Sequence, residues 1–338
     1  MNKLSSVEKC KKLMKQTLVA LKNPYQSVNH VFEYVVDQID EKNIDEIYYL
    51  GIKDVEQIPH SIASKLKSYG FLLHTLDHAS LGGRAIDVSL INPLTSKPMT
   101  GSSSGTAINV FCGINDLGIG TDGGGSVLSP SMSLNLFGLI SPLIEEEHMK
   151  KYARTSTDGI TFSPSIGLIS KDYNLMIQAF GILMDYEWKE NNICHILSSY
   201  KVEMNTDKKI FPNSKASRRE MIDFLLQHLP SYDVLIDVEG PIDLIGFGDT
   251  VFGHFDERTH QIQAEANKCL SKVANMVNAT AVVIPKKELS CAYILICESK
   301  IEKIEKMLTL AASFVINQDE LCTSYFADGS KYIKKGYL

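Results

Sequence analysis

The stretch from residue 101 to residue 126 concentrates hydroxyl side chains and glycines that could do chemistry. It reads GSSSGTAINVFCGINDLGIGTDGGGS, with three serines near one end and three glycines before Ser126 at the other. A serine nucleophile needs a base and N–H donors that stabilise the developing oxyanion. Gly123, Gly124 and Gly125 could supply consecutive N–H groups that no bulky side chain obstructs. The stretch therefore predicts nucleophilic chemistry at Ser126.

A lysine upstream could serve as the base. Residues 47–55, IYYLGIKDV, are rich in strand formers and predict a buried strand that carries Lys53 to its carboxyl end. Burial disfavours the charged ammonium, so a buried lysine can be neutral near pH 7 and accept a proton. A hydroxyl from Ser102 or Ser103 could relay that proton from Ser126.

Other kinds of site fit these residues less well. His74 and His78 have H-x-x-x-H spacing, but they fall on a predicted strand and loop, where two ligands would not share one face. Residues 118–126, GIGTDGGGS, lack the Lys-Ser/Thr ending of a phosphate loop, and an aspartate within them would repel a phosphate. GSSSG matches G-x-S-x-G around Ser103, but no strand pattern precedes it.

Composition bounds the class of protein. The chain has 338 residues, 44% of them hydrophobic and 22% charged, as in ordinary soluble domains. Its net charge of −6 argues against nucleic acid as the main partner. No apolar run reaches the roughly 20 residues of a membrane span, and no secretory signal is apparent. A cytoplasmic location with reduced thiols is therefore expected for the seven dispersed cysteines: Cys10, Cys112, Cys194, Cys269, Cys291, Cys297 and Cys322.

Hydrophobic periodicity predicts alternating helices and strands, which favours an α/β architecture. There is no internal repeat and no clear linker, so one domain is the simplest expectation. Helices are predicted at 7–21, 28–39, 59–69, 106–112, 129–138, 171–186, 221–229, 263–277 and 303–317. Strands are predicted at 47–55, 71–76, 117–120, 232–238, 279–285 and 292–299.

These residues resemble the amidase signature family of serine hydrolases. The family motif GGSSGGS…GLGTDTGGSIR compares with TGSSSGT…GIGTDGGGSVL in this chain. Ser102 and Ser126 lie 24 positions apart (126 − 102), which is the family spacing. LGIKD is similar to the family's strand-end V-K-D, and FGLISP is similar to its GLKPT segment. The resemblance covers roughly residues 45–185.

The resemblance implies an α/β fold with a central mixed β-sheet flanked by α-helices, in one domain over residues 1–338. Within it, residues 1–45 would form N-terminal helices, 46–185 the signature core, and 186–338 a C-terminal part that completes the sheet. The implied function is hydrolysis of the carbon–nitrogen bond of a small-molecule carboxylic amide. It needs no metal and no organic cofactor, and it allows a homodimer.

The resemblance also implies a role for individual residues. Ser126 would be the acyl-accepting nucleophile, Ser102 the bridging serine, and Lys53 the general base and later the general acid. Family members hold the bridging serine on a cis peptide bond, so a cis Gly101–Ser102 bond is expected. The resemblance further implies an oxyanion loop, made of Gly123, Gly124 and Gly125. Ser103 and Asp122 would be supporting residues of this site.

Two departures from the family pattern leave alternatives open. Leu128 stands where the family has an arginine, so Asp122 lacks its usual partner. The segment between Lys53 and Ser102 is shorter than in typical members. One alternative is therefore an amidase-like scaffold that binds a small molecule or serves as a partner subunit, and another is an amidotransferase component. The sequence does not identify the substrate.

Overall fold

One mixed sheet of 11 strands runs through the chain and takes strands from both of its halves. The computed structural model describes residues 6–39, 44–156, 159–191, 195–317, 319–327 and 330–333. The strands of the large sheet are β1 (Val28–Val31), β2 (Tyr48–Lys53), β3 (Phe71–Asp77), β6 (Leu117–Asp122), β7 (Phe137–Ser141), β10 (Ser165–Ser170), β11 (Ile196–Ser199), β12 (Asp207–Lys209), β13 (Val234–Glu239), β14 (Ala279–Pro285) and β15 (Ala292–Glu298). Two small hairpins complete the set: β4 (Ile86–Ile91) with β5 (Pro98–Thr100), and β8 (Arg154–Thr155) with β9 (Thr161–Phe162).

The strand order in the large sheet is β1-β3-β2-β6-β10-β7-β14-β15-β13-β11-β12. Strand β2 is parallel to both of its neighbours, β3 and β6, and β11 is parallel to β13 and β12. The other strand pairs of this sheet are antiparallel. The expected α/β fold with a central mixed sheet is confirmed.

Helices cover both faces of the sheet. Successive side chains of the strands point alternately into two apolar cores, one on each face. The helices are α1 (Ser6–Lys22), α2 (His60–Lys67), α3 (Ser104–Phe111), α4 (Leu128–Ser133), α5 (Glu146–Met149), α6 (Tyr173–Met184), α7 (Arg218–His228), α8 (Glu257–Ala264), α9 (Ile301–Ala312), α10 (Glu320–Cys322) and α11 (Ser330–Ile333). In β14, Ala281 and Val283 pack with side chains of α3, α4 and α7, whereas Val282 and Ile284 pack with those of α2, α6 and α9. Burial on both faces explains why these strands read as continuous apolar runs.

Two predicted helices end early or do not form. Residues 28–39 form strand β1 and a 3-10 helix, Glu33–Gln38, because the valines of β1 pair with β3 along the edge of the sheet. The helix predicted over 129–138 ends at Ser133. Asn135 then takes a left-handed conformation with φ +52°, which asparagine tolerates, and the chain continues into the buried strand β7.

The helix predicted over residues 263–277 is also wrong. Helix α8 ends at Ala264, and two short 3-10 turns follow, Leu270–Lys272 and Asn275–Val277. The buried carboxylate of Glu239 accepts the backbone N–H groups of Cys269 at 3.1 Å and Ser271 at 2.9 Å. An α-helix would need those N–H groups for its own carbonyls, so the Glu239 carboxylate favours a turn instead.

Two further features of the described residues are the length and polarity of the helices and the state of the cysteines. Every helix in it is too short or too polar to cross a membrane. Six cysteines there are free thiols, and Cys194 lies outside the described residues: the six are Cys10, Cys112, Cys269, Cys291, Cys297 and Cys322.

Candidate active site

Two neighbouring parallel strands end side by side and carry the first residues of the site. Strands β2 and β6 pair with Ile52 opposite Ile119, so Lys53 and the Thr121–Asp122 end of β6 lie at the same edge of the sheet. The carboxyl ends of parallel strands are where open α/β sheets collect functional side chains. The predicted strand over 47–55 thus delivers Lys53 to its end.

Lys53 is buried, with 4% of its surface exposed, and it donates two hydrogen bonds. Its Nζ lies 2.8 Å from Ser102 Oγ and 3.0 Å from Thr121 Oγ1. Burial lowers the pKa of Lys53 from 10.5 to about 7, the nearby Asp122 carboxylate raises it in part, and the Arg154 guanidinium lowers it. At neutral pH a large share of Lys53 is therefore the neutral amine.

Ser102 lies in the turn between strand β5 and helix α3. The peptide bond before it, Gly101–Ser102, is trans, so the expected cis bond there is wrong. Within the described ranges the one cis peptide bond is Gly240–Pro241. Gly101 makes the turn instead, with φ +74° and with the ring of Pro130 packed against its Cα. Its N–H also donates to the carbonyl of Ala85 at 2.8 Å.

The carboxylate of Asp122 organises the glycine loop that follows strand β6. One oxygen, Oδ1, accepts the N–H groups of Gly124 at 3.0 Å and Gly125 at 2.7 Å. The other, Oδ2, accepts those of Val127 at 2.7 Å and Leu128 at 3.2 Å. These four bonds satisfy the fully buried carboxylate without the arginine that Leu128 replaces.

This arrangement divides the loop N–H groups into two sets. Those of Gly124 and Gly125 point to Asp122, whereas those of Gly123 and Ser126 make no hydrogen bond within the residues described. The two unbonded N–H groups flank the two that fix the shape of the loop. Of the three glycines expected to donate to an oxyanion, only Gly123 thus has its N–H unused in this structure.

Ser126 follows the loop and contacts the serine turn through its backbone. Its carbonyl accepts the N–H of Ser103 at 3.2 Å, which brings the two ends of the 101–126 stretch together. The Ser126 hydroxyl makes no hydrogen bond to any described residue, so the contact between Ser102 and Ser126 hydroxyls is not formed here. The Ser103 hydroxyl is buried against Gly120 and also lacks a partner in the described chain.

Two residues near Lys53 were not singled out from the sequence. Thr121 lies within the GIGTDGGGS motif, so its position was visible but its bond to Lys53 was not. Arg154 lies far along the chain, on strand β8, and it stacks over Phe162 with 5.5 Å between its guanidinium carbon and the ring centroid. No sequence pattern indicated that β8 and β9 would bring Arg154 close to Gly123.

The two histidines considered for a metal site have packing partners. His74 is fully buried, stacks on Tyr49 with 4.1 Å between ring centroids, and lies 2.8 Å from Asn115 through Nδ1. Burial lowers its pKa to about 4, so it is neutral at physiological pH. His78 lies 3.1 Å from the Asp87 carboxylate. Across the described ranges, no three His, Cys, Asp or Glu side chains cluster so as to hold a metal ion.

Comparison with known proteins agrees with this geometry. The Amidase family model matches residues 91–166, which span the serine turn, the glycine loop and Ser126. A fatty acid amide hydrolase from Arabidopsis thaliana is 33% identical over 128 residues, which are 35% of this chain and 21% of that protein. The match thus spans about a fifth of the length of this curated relative.

Solved structures share the fold over nearly the whole chain. A bacterial aryl acylamidase of the amidase signature family has a TM-score of 0.64 and 12% identity, covering 96% of this chain and 95% of the other. An allophanate hydrolase from Kluyveromyces lactis has a TM-score of 0.58 and 13% identity, covering 92% of this chain and 70% of the other. The fold is thus that of these amidase structures, and the Amidase family model matches the segment that carries the serine turn and the glycine loop.

Proposed function

We propose that this protein hydrolyses a carboxylic amide through an acyl-enzyme on Ser126. The observation that carries the proposal is Lys53: a buried lysine, with its pKa lowered to about 7, hydrogen-bonded to Ser102 beside the glycine loop. Perturbed titratable groups of this kind cluster at functional sites, since a general base works best with a pKa near the working pH. The match of the Amidase family model to residues 91–166 supports the same chemistry.

Acylation would begin with the neutral Lys53 amine. Its lone pair accepts the Ser102 proton, and Ser102 Oγ accepts the proton of Ser126 as the Ser126 oxygen attacks the substrate carbonyl. The carbonyl oxygen becomes an oxyanion, which the N–H groups of Gly123 and Ser126 can stabilise because they have no other partner among the described residues. Asp122 keeps the loop in that shape through its four backbone bonds.

The second half of the reaction reverses the proton path. The Lys53 ammonium returns its proton through Ser102 to the leaving nitrogen as the carbon–nitrogen bond breaks, which leaves the acyl group on Ser126. A water molecule then attacks the acyl carbon and gives up a proton by the same route, so that Ser126 leaves with its proton restored. Ser102 relays the proton in both directions, and Lys53 is neutral again at the end.

The alternative without catalysis is an amidase-like scaffold, which Leu128 and the short segment after Lys53 would favour. The contacts of Asp122 and Lys53 weigh against it. Asp122 has four hydrogen-bond donors without an arginine, and Lys53 reaches Ser102 across the shorter segment. No motif for ATP-dependent chemistry supports a role in an amidotransferase. The cytoplasmic location and the homodimer stay predictions from the sequence.

The proposal is tested by labelling the folded protein with an uncharged fluorophosphonate and locating the adduct by mass spectrometry. The expected adduct is on Ser126, and it is lost in Ser126→Ala. Ser64→Ala, which removes an exposed hydroxyl on helix α2, is the matched control and retains labelling. Folded protein that forms no adduct on Ser126 would point to the scaffold instead.

A further inference from the structure

A small cavity of about 50 Å³ opens beside Ser126. One side of it is the glycine loop, and the other side carries three basic residues from the C-terminal half of the chain. Its lining includes Gly124, Gly125, Ser126, Arg218, Lys268 and Lys272. Whether the cavity has a net positive charge depends on the acidic side chains that lie close to these three basic residues.

Lys272 belongs to the 3-10 turn Leu270–Lys272 that covers the glycine loop. A Cβ atom on Gly124 would lie 3.7 Å from the Lys272 carbonyl, and one on Gly125 would lie 3.2 Å from the Ser271 carbonyl. This close packing fixes the turn, and with it Lys272, next to the Ser126 loop. Lys272 Nζ makes no hydrogen bond or ion pair with the described residues.

Charges of both signs lie around Lys272. Burial lowers the pKa of Lys272, Cys269 and Glu239 act to raise it, and the cations Arg218 and Lys268 lower it further. The Glu239 carboxylate is already bonded to the backbone of the turn and to the Ser271 hydroxyl at 2.7 Å. A buried ammonium among cations is stabilised by an anion that reaches it.

Lys268 differs from Lys272 because its charge is already balanced. Its Nζ lies 2.6 Å from the Asp243 carboxylate and also donates to the carbonyls of Gly248 at 3.2 Å and Ala85 at 3.3 Å. Lys268 thus stabilises the wall of the cavity, while Lys272 keeps a charge that an anionic ligand can balance.

We propose that Lys272 binds a carboxylate of the substrate, so that this protein acts on carboxylate-bearing amides. The inference rests on the proposed hydrolysis at Ser126. A carboxylate has two oxygens that accept charge-assisted hydrogen bonds from ammonium and guanidinium groups. The cavity is small and opens beside Ser126, which suits a carboxylate on a short chain.

The first experiment compares matched substrates on the wild-type protein. One series carries the carboxylate on the acyl part, with succinamate and glutaramate set against butyramide and valeramide. The other carries it on the leaving amine, with N-acetylglycine set against N-acetylethylamine. We expect kcat/KM to be about 10- to 100-fold higher for the carboxylate member in at least one series. This ratio corresponds to the free energy of one charge-assisted hydrogen bond. Equal rates in both series overturn the inference.

A competition experiment separates this inference from the proposed function. Glutarate is expected to slow the labelling of Ser126 by the uncharged fluorophosphonate, whereas neutral glutaramide and inorganic phosphate are not. Labelling that glutarate does not slow overturns the carboxylate site alone, and so does protection by phosphate in place of glutarate. Failure to label Ser126 at all overturns the hydrolytic function itself.

Variants then assign the effect to Lys272. Lys272→Gln is expected to remove the preference for carboxylate substrates while it leaves fluorophosphonate labelling of Ser126 intact, which also shows that the variant is folded. Lys272→Arg keeps the positive charge and is expected to keep the preference. Lys287→Gln removes an exposed lysine elsewhere and serves as the charge control. A preference that persists in Lys272→Gln overturns the assignment, and if that variant does not fold, glutarate protection of wild type decides.

Discussion

Lys53 Nζ lies 2.8 Å from Ser102 Oγ, and this contact joins the end of a buried strand to the serine turn. The two residues are 49 positions apart in sequence, yet the pairing of β2 with β6 and the turn at Gly101 bring them together. Because the lysine is buried, its amine gives up its proton near neutral pH. The bond therefore links the fold directly to the proposed proton relay.

Acylation of Ser126 should depend on pH through Lys53. The neutral amine is the active form, and with a pKa of about 7 its fraction rises with pH and levels off above that value. The second-order rate of fluorophosphonate labelling should therefore rise about tenfold per unit below pH 7 and reach a plateau above about pH 8. Labelling reactions that are stopped at several times at each pH measure this rate. A rate that is flat or falls with pH would contradict the assignment of Lys53 as the base.

Replacing Lys53 should separate activity from stability. Lys53→Met removes the base, so labelling of Ser126 should fall by about 100-fold or more. The folded-state pKa of about 7 lies below the reference value of 10.5, so the unfolded chain binds more protons between these values. The cost of burying Lys53 is therefore greatest at and below pH 7, and the variant should unfold at a higher temperature there, by about 2 °C or more.

The control for that experiment is Lys67→Met, which changes an exposed lysine at the end of helix α2. It should alter neither the labelling rate nor the unfolding temperature. Thermal unfolding followed by circular dichroism at about pH 6 and pH 9 checks the sign, because the gain from Lys53→Met should shrink at the higher pH. A gain that is the same at both values would mean that folding does not change the pKa of Lys53.

Arg154 should tune the pKa of Lys53 through its charge. It lowers that pKa, so Arg154→Gln should move the acidic limb of the labelling profile to higher pH by a few tenths of a unit. Lys151→Gln removes the same charge from an exposed position nearby and should leave the limb in place. A shift of equal size in both variants would show that only the net charge of the protein matters.

The sequence predicted which segments meet at the site, but it did not predict the geometry of the loop. Glycines and serines at the family spacing drew attention to Ser102 and Ser126, whose segments are in contact, and a run of strand formers predicted the strand that carries Lys53. The sequence alone did not show that Asp122 takes the N–H groups of Gly124 and Gly125, because this depends on how the loop folds around one carboxylate. In the same way, the sequence alone did not show that the Gly101–Ser102 peptide bond is trans.

The errors in secondary structure have a common physical cause, which is that distant groups override local periodicity. The segment 263–277 has helical spacing, yet the Glu239 carboxylate on strand β13 takes its N–H groups and holds a turn. That turn carries Lys272, so the cavity residue was out of reach of a pattern-based prediction. Residues 279–285, where periodicity and burial agree, form strand β14 as predicted.

Neutralising Asp122 should weaken the loop and shift the pH profile in the direction opposite to Arg154→Gln. The amide of Asp122→Asn has one acceptor oxygen, so two of the four backbone N–H groups lose their partner, and stability should fall by about 1.5–3 kcal/mol or more. The lost negative charge no longer raises the pKa of Lys53, so the acidic limb moves to lower pH. Urea unfolding and labelling profiles measure the two effects, and a limb that moves to higher pH would contradict this electrostatic account.

The two central glycines of the loop should respond differently to the addition of one methyl group. Gly125 has φ +94°, and a Cβ there would lie 2.8 Å from Ser129 Oγ and 3.2 Å from the Ser271 carbonyl. Gly124 has no positive φ, and its nearest neighbours would lie at 3.7 Å, which is ordinary contact. Gly125→Ala should therefore destabilise the protein by about 1–3 kcal/mol and slow labelling of Ser126, whereas Gly124→Ala should be tolerated.

Urea unfolding and the labelling rate, measured on both variants, test this contrast. Each variant adds the same atom to adjacent residues whose N–H groups bond to the same Asp122 oxygen, so the comparison isolates backbone strain and steric contact from hydrogen bonding. Equal losses in the two variants would mean that the loop tolerates no side chain at either position. A larger loss in Gly124→Ala than in Gly125→Ala would contradict the loop conformation itself, and with it the proposed role of the Gly123 and Ser126 N–H groups.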